Sequence, residues 1–326
     1  MSVDVREHEA VPVVADPYLQ GRRELRAPRP ARGRRAPRPM PPRRPRAPVP
    51  DGASVGVVAL VVVAVLAGWL LLQLVGLSGL AQTRAQQVLN AQLREELAAQ
   101  TAPAGGVIEP GSPVALLVVP TLGLREVVVE GTASGDTMSG PGHRRDTVLP
   151  GQAGISILYG RSTAYGAPFR GITLLREGDG IRVTMAQGEF TYRVDGVRRE
   201  GDPSPAALPA GGGRLTLVTA EGDGPLAGIT PSRTVYVDAT LVGDAAVGAG
   251  HLGVIPEAEK ALAGDTGVVP LLSLCLAGLL TAAAATTAAL LRGIPRGAVW
   301  VMAAPVLVAC AWASADQALQ LLPNLL

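Results

Sequence analysis

The sequence predicts an all-β barrel of about eight strands, held outside a membrane by three transmembrane α-helices. Three observations predict it. The composition is 48% hydrophobic but only 3% aromatic, too apolar for a single soluble domain. The uncharged residues gather in three long runs, and between the first two runs lie short apolar stretches bounded by glycine and proline.

Residues 1–51 come before the first run. Twelve arginines stand among the first fifty residues, interleaved with proline as in Arg26-Ala27-Pro28-Arg29-Pro30. Such a segment cannot bury a core and reads as a disordered cytoplasmic tail. Its cations suit anionic lipid headgroups, at about 1 kcal/mol per basic residue near the surface. No aromatic residue is interleaved from Gly21 to Pro50 for stacking on bases, so no nucleic-acid partner is expected.

Residues 52–80 are the first transmembrane helix. Gly52 to Thr83 carries no charge, and Val55 to Gly76 alone would span roughly 33 Å at about 1.5 Å per residue, enough to cross a bilayer. That exceeds the roughly 7–15-residue apolar core of a cleaved signal, so the helix is expected to be retained. Residues 81–109 form a stalk and linker. Ala81 to Gln100 is rich in Ala, Gln, Leu and Glu, all good helix formers, and the Gly/Pro density of Ala102 to Pro113 ends the helix.

Residues 110–243 hold the barrel. Strands are expected at Val114–Val119, Glu126–Val129, Ile155–Leu158, Ile181–Met185, Glu189–Val197, Leu215–Thr219 and Thr234–Leu241. Ile181, Val183 and Met185 alternate with polar residues, and Phe190, Tyr192 and Val194 do so beyond the turn Ala186-Gln187-Gly188. That pattern is a hairpin. Short strands separated by Gly/Pro turns argue for a closed or nearly closed barrel over an α/β sheet.

Residues 244–266 read as a linker, and 267–291 and 297–322 as the second and third transmembrane helices. Their apolar residues run all round the helix. Only Arg292 to Arg296 separates them, so they form a hairpin. Cationic flanks stay on the cytoplasmic side, which puts the N-terminus and the Arg292/Arg296 turn inside and the barrel outside the cell membrane. Asp316 then lies towards the outer end of its helix, away from the costly bilayer centre.

Within the barrel region, Ser139 to Phe169 reads SGPGHRRDTVLPGQAGISILYGRSTAYGAPF. Its Gly140-Pro141-Gly142-His143, Thr147, Pro150-Gly151, Gly154, Tyr165-Gly166 and Pro168-Phe169 resemble the central signature of class E sortases of high-GC Gram-positive bacteria. Gly178-Asp179, the run Leu215 to Ala220 and Arg233 extend the likeness over roughly residues 110–243. The resemblance implies a membrane-anchored cysteine transpeptidase. Such an enzyme cuts a sorting signal at a Thr-Gly bond, holds the acyl group as a thioester and passes it to an amine. That chemistry requires a thiolate nucleophile, a histidine to protonate the leaving amine and an arginine to stabilise the oxyanion.

This chain departs from that pattern at two of the three positions. The cysteine of the family falls on Ala220 and its histidine on Arg161, leaving Arg233 as the one matching residue. The only thiols, Cys275 and Cys310, lie in the apolar C-terminal runs. A methyl group is no nucleophile, and an arginine that stays charged cannot shuttle a proton. His143 sits in a Gly/Pro loop and is expected to serve that loop. Together with Thr219 and Tyr165 it marks a possible groove. Thr219 and Ser162 flank the vacated positions, but no base accompanies either hydroxyl.

No cofactor or metal is expected. The three histidines, His8, His143 and His251, are widely spaced, and Asp136, Asp146 and Asp179 are scattered through turns. Gly211-Gly212-Gly213 lacks the lysine of a phosphate loop. The expectation is therefore a pseudoenzyme that binds a sorting-signal-like peptide or a cell-envelope protein in a groove whose floor Arg161 and Arg233 make cationic. An alternative is a structural component whose helices, Ala/Gly-rich over Leu276 to Leu290, pack into a cell-envelope assembly. A further alternative keeps the transpeptidase label by ancestry only, since a fold does not confer chemistry that its site lacks.

Overall fold

The computed structural model describes residues 52–223 and 231–326. The arginine-rich tail with His8, and residues 224–230 in the loop after Glu221, lie outside the described residues.

Helix α1 (Gly52–Leu71) runs through a six-residue π-helical stretch, Leu72–Leu77, directly into α2 (Ser78–Ala99). The distortion has a local partner. Ser78 Oγ donates to Leu74 O at 2.5 Å and accepts the backbone N–H of Tyr165 at 3.1 Å. Helix α2 then lies along the barrel wall. Leu89 and Leu93 pack on Val127 and Val129, and the Gln86 carboxamide accepts from Val127 N at 2.7 Å while donating to Val127 O and Ser139 O. A predominantly polar helix thus stays docked through the narrow apolar seam of Leu89 and Leu93 and through Gln86. Gln100, left-handed at φ 57°, ends it.

Eight strands close the barrel: β1 (Pro113–Val119), β2 (Leu124–Glu130), β3 (Gly142–His143), β4 (Gly154–Tyr159), β5 (Gly180–Met185), β6 (Gly188–Arg199), β7 (Gly213–Gly222) and β8 (Pro231–Val242). Their order is β1-β2-β3-β4-β7-β8-β6-β5, with β2/β3 and β4/β7 parallel and the other pairs antiparallel. The barrel fold expected from the sequence is present. Seven of its strands overlap the seven expected ones. The eighth, β3, is two residues long and shows no alternation. Tertiary contacts create it: Val129 N donates to Pro141 O, Gly131 N donates to His143 O, and a Cβ on Gly142 would stand 2.2 Å from Gly131 O.

The core inside the barrel is built by Leu117, Phe169, Ile181, Val183, Leu215, Leu217 and Val237, all fully buried. Each large side chain contributes on the order of 1.5–3 kcal/mol by leaving water. Strand β7 is unusual in that its first eight residues are all buried. Leu215 and Leu217 face the core, while Val218 and Ala220 face outward and are covered by segments from the C-terminal part of the chain.

Two of those segments correct the sequence reading. Residues 244–263, read as a linker, form a strap bonded to the barrel: Ala246 exchanges hydrogen bonds with Gly151 and Ala153, Leu252 N donates to Arg145 O, and buried Glu259 pairs with Arg145 at 3.2 Å. The third apolar helix, read as 297–322, is α5 (Arg296–Leu319), and residues 320–326 leave it to fold back onto the barrel. Pro323 disfavours helical geometry at Leu322, which accounts for the early stop.

Helix α4 (Val269–Leu291) leads away from the strap and α5 leads back to it. Asp265 N, just before α4, donates to Gln320 O, just after α5, at 2.9 Å. Trp69 of α1 meets Trp312 of α5 edge-on, with ring centroids 6.3 Å apart, and donates from Nε1 to Ala311 O. Among the described residues, three helices are long and apolar enough to cross a membrane.

Candidate functional site

The candidate site lies at the end of the parallel pair β4/β7. Tyr159 pairs with Val218, Gly160 N donates to Val218 O, and Thr219 Oγ1 donates to Gly160 O at 2.8 Å. Continuing that register brings Arg161 beside Ala220. Gly160 is required here because a Cβ would stand 2.3 Å from the Phe169 ring. The sequence therefore holds the chain in a tight exit from β4, with Gly160 against the core and the next side chain on the opposite face.

Arg161 is fully buried. Its Nη2 donates to both the carbonyl and the hydroxyl of Ser134 at 2.8 Å, and the guanidinium lies 5.1 Å above the Tyr165 ring. Burial lowers its pKa to about 10, so it remains a cation near neutrality. Its Nε and Nη1 have no hydrogen-bond partner. Tyr165 adopts φ 50° to sit beneath it, and burial pushes the phenol up to about 12. Strain of this kind persists only where the surroundings over-determine it. Ser134 starts the short helix α3 (Ser134–Thr137) in the loop after β2.

Ala220 is buried and belongs to one cluster with Tyr159, Val218 and Leu325. Thr234, not Arg233, pairs with Ala220; Arg233 pairs with Glu221. Because side chains alternate along a strand, Arg233 shares the face of Glu221 and not that of Ala220. Its guanidinium reaches Glu221 at 3.5 Å and Asp223 at 2.5 Å, and its side chain is 41% exposed. The Glu221 carboxyl is held low by hydrogen bonds from Arg199 and by the charge of Arg233.

The structure thus commits Arg161 to Ser134, packs Ala220 against Leu325 and leaves Arg233 engaged with carboxylates. The expected cationic floor is not formed. Arg161 is sealed under Ser134, and Arg233 is neutralised by Glu221 and Asp223. Thr219 gives its proton to a backbone carbonyl and has no base, so the hydroxyl is not poised to attack. His143 is buried and bonded elsewhere. Its Nδ1 faces Glu130 at 2.8 Å, and its Nε2 faces Val148 O at 3.0 Å and Thr147 Oγ1 at 3.2 Å. It ties β3 to the loop that follows.

The sequence reading missed two groups at the site. One is the C-terminal segment Leu322–Leu326, whose Asn324, Leu325 and Leu326 are essentially inaccessible. The other is Ser134, which links Arg161 to that segment by donating to Leu322 O at 3.0 Å. A fully apolar tail following a membrane helix could have been flagged by its Pro-Asn interruption. Beside the covered part, a groove of about 450 Å³ stays open, lined by Arg144, Asp146, Tyr159, Tyr236, Val254 and Lys260. No cluster of three metal-ligating side chains occurs among the described residues.

Comparison with known proteins agrees with this architecture. The sortase domain family matches residues 117–241. Sortase D of Bacillus subtilis (strain 168) is 33% identical over 86 residues, which is 26% of this chain and 42% of that protein; the match spans less than half of the relative. Among solved structures, a sortase E variant from Streptomyces avermitilis is 30% identical, covering 47% of this chain and all of that chain at a TM-score of 0.35. A Clostridium perfringens Sortase D5 transpeptidase is 21% identical, covering 50% and 98% at a TM-score of 0.40. The match to the sortase domain family runs from β1 to β8 of the closed mixed barrel described above.

Proposed function

We propose that this protein is a membrane-anchored pseudoenzyme of the class E sortase type. It holds an extended segment of a cell-envelope peptide or protein without cutting it. One observation supports the reading: Ala220, where the resemblance sets the nucleophile, packs under Leu325, and Arg161, where it sets the histidine, is committed to Ser134. A methyl group cannot form a thioester, and a guanidinium buried in this way has no proton to exchange near neutrality. The chain contains no cysteine before Cys275. What survives is a shaped surface over β4, β7 and β8 that accepts extended chain. The positive-inside pattern supports a cytoplasmic N-terminus and an outward barrel.

An acyl-transfer assay on the full chain in detergent micelles, with a sorting-signal peptide containing a Thr-Gly bond, tests this. The native chain is expected to release no product, while an Ala220→Cys/Arg161→His variant is expected to accumulate a thioester. Turnover by the native chain would end the pseudoenzyme reading. The structural-component alternative draws on the tight coupling of α5 to the barrel through residues 320–326, and it gains if neither protein binds the peptide.

A further inference from the structure

We infer that the segment Leu322-Pro323-Asn324-Leu325-Leu326 is a tethered ligand of the site, occupying in cis the peptide-binding surface over Ala220. This rests on the proposed reading of the site as a peptide holder and names what it holds. The segment is bonded along its length to loops on both sides. Ser162 N donates to Leu325 O at 3.0 Å and Ala164 N to Leu326 O at 3.3 Å. On the other side Asn324 N donates to Ala263 O at 2.9 Å. Within the segment Leu326 N donates to Pro323 O at 3.1 Å, so it seats as a tight turn whose outward backbone groups are taken up by the loops around it.

Side chains complete the seat. Asn324 Nδ2 donates to Thr132 O at 2.7 Å and Lys260 O at 2.9 Å, Thr137 Oγ1 donates to Asn324 O at 2.9 Å, and Ser162 Oγ donates to Leu325 O at 3.1 Å. Leu325 fills the apolar patch of Tyr159, Val218 and Ala220. Ser134 bonds the first carbonyl of the segment, Leu322 O, and is itself held by Arg161. Arg161 therefore acts as a positioning residue for the seat. The arrangement selects a turn-forming occupant with uncharged side chains, a carboxamide at the third position and a leucine at the fourth. A partner segment must share that chemistry and must displace this one.

The test places a thiol at the covered position. In full-length protein in micelles, with Cys275→Ala and Cys310→Ala to remove the native thiols, the Ala220→Cys variant is treated with a maleimide. The native tail is expected to keep alkylation slow. Adding Asn324→Ala, which deletes two buried hydrogen bonds, is expected to speed it by about tenfold or more. A synthetic Gln-Leu-Leu-Pro-Asn-Leu-Leu peptide, supplied in excess to the Asn324→Ala protein, is expected to restore slow alkylation. Equal rates with and without Asn324→Ala would overturn the proposal. So would an acceleration that the peptide leaves unchanged, because that would report a loosened fold and not an emptied seat. Cleavage of a sorting-signal peptide by the native chain would sink the non-cutting reading yet leave the alkylation result standing, so the two failures are distinguishable.

Discussion

Arg161 is a cation taken out of water and tied to Ser134 and the Tyr165 face. Its two free donors, Nε and Nη1, mark it as costly to bury. Glu126 is a second buried ionisable residue. Its carboxyl accepts from Gln82 Nε2 at 2.8 Å, and burial against α2 raises its pKa from 4.5 to about 7. Between those values the folded chain holds more protons than the unfolded chain, so this group makes stability fall as pH rises through that window. Glu126→Gln keeps an acceptor for Gln82 and removes the titration. Thermal unfolding across pH is expected to show the variant gaining on the native chain from about pH 4.5 to about pH 7, keeping that margin above, and matching it below about pH 4.5. Parallel curves over the whole range would contradict this.

At the scale of elements, β3 is the least autonomous strand and the most informative. Two residues, Gly142 and His143, carry the parallel link from β2 and the antiparallel link to β4. Without them the barrel would open between β2 and β4. Gly142→Ala would drive a Cβ to 2.2 Å from Gly131 O, a backbone atom that cannot step aside. The expected cost is more than about 2 kcal/mol, in the range of overpacked cores, read as a lowered unfolding midpoint with His143 still in place. An unchanged midpoint would mean that β3 is dispensable for closure. The longer strands were legible because their residues alternate, as Ile181, Val183 and Met185 do. β3 was not legible because its geometry comes from neighbours that are distant in sequence.

Across the whole molecule, the long apolar helices are tied to the barrel through residues 320–326. The chain enters the barrel from α2, leaves through the strap into α4, and returns through α5 to place Leu325 at Ala220. The Arg292 to Arg296 turn therefore lies at the far end of the hairpin from the barrel. In cells, with Cys275→Ala and Cys310→Ala as background, a His251→Cys variant is expected to react with a membrane-impermeant maleimide added outside. A Gly293→Cys variant is expected to react only after the membrane is permeabilised. Labelling of both from outside would reverse the topology drawn from the arginine distribution.

The amino-acid sequence by itself determined the three apolar spans, the strand alternation, the motif from Gly140 to Phe169, and the absence of any cysteine before Cys275. All of these are local patterns or single identities, and local patterns survive without coordinates. Tertiary structure alone decided that Arg161 points into Ser134 and not into a groove, that Arg233 is spent on Glu221 and Asp223, and that residues 244–263 form a strap. It also decided that Leu322–Leu326 fills the seat. The physical reason is common to all four: each depends on which distant backbone carbonyl, carboxylate or apolar patch satisfies a group once it leaves water, and that choice is made only when the chain has closed on itself.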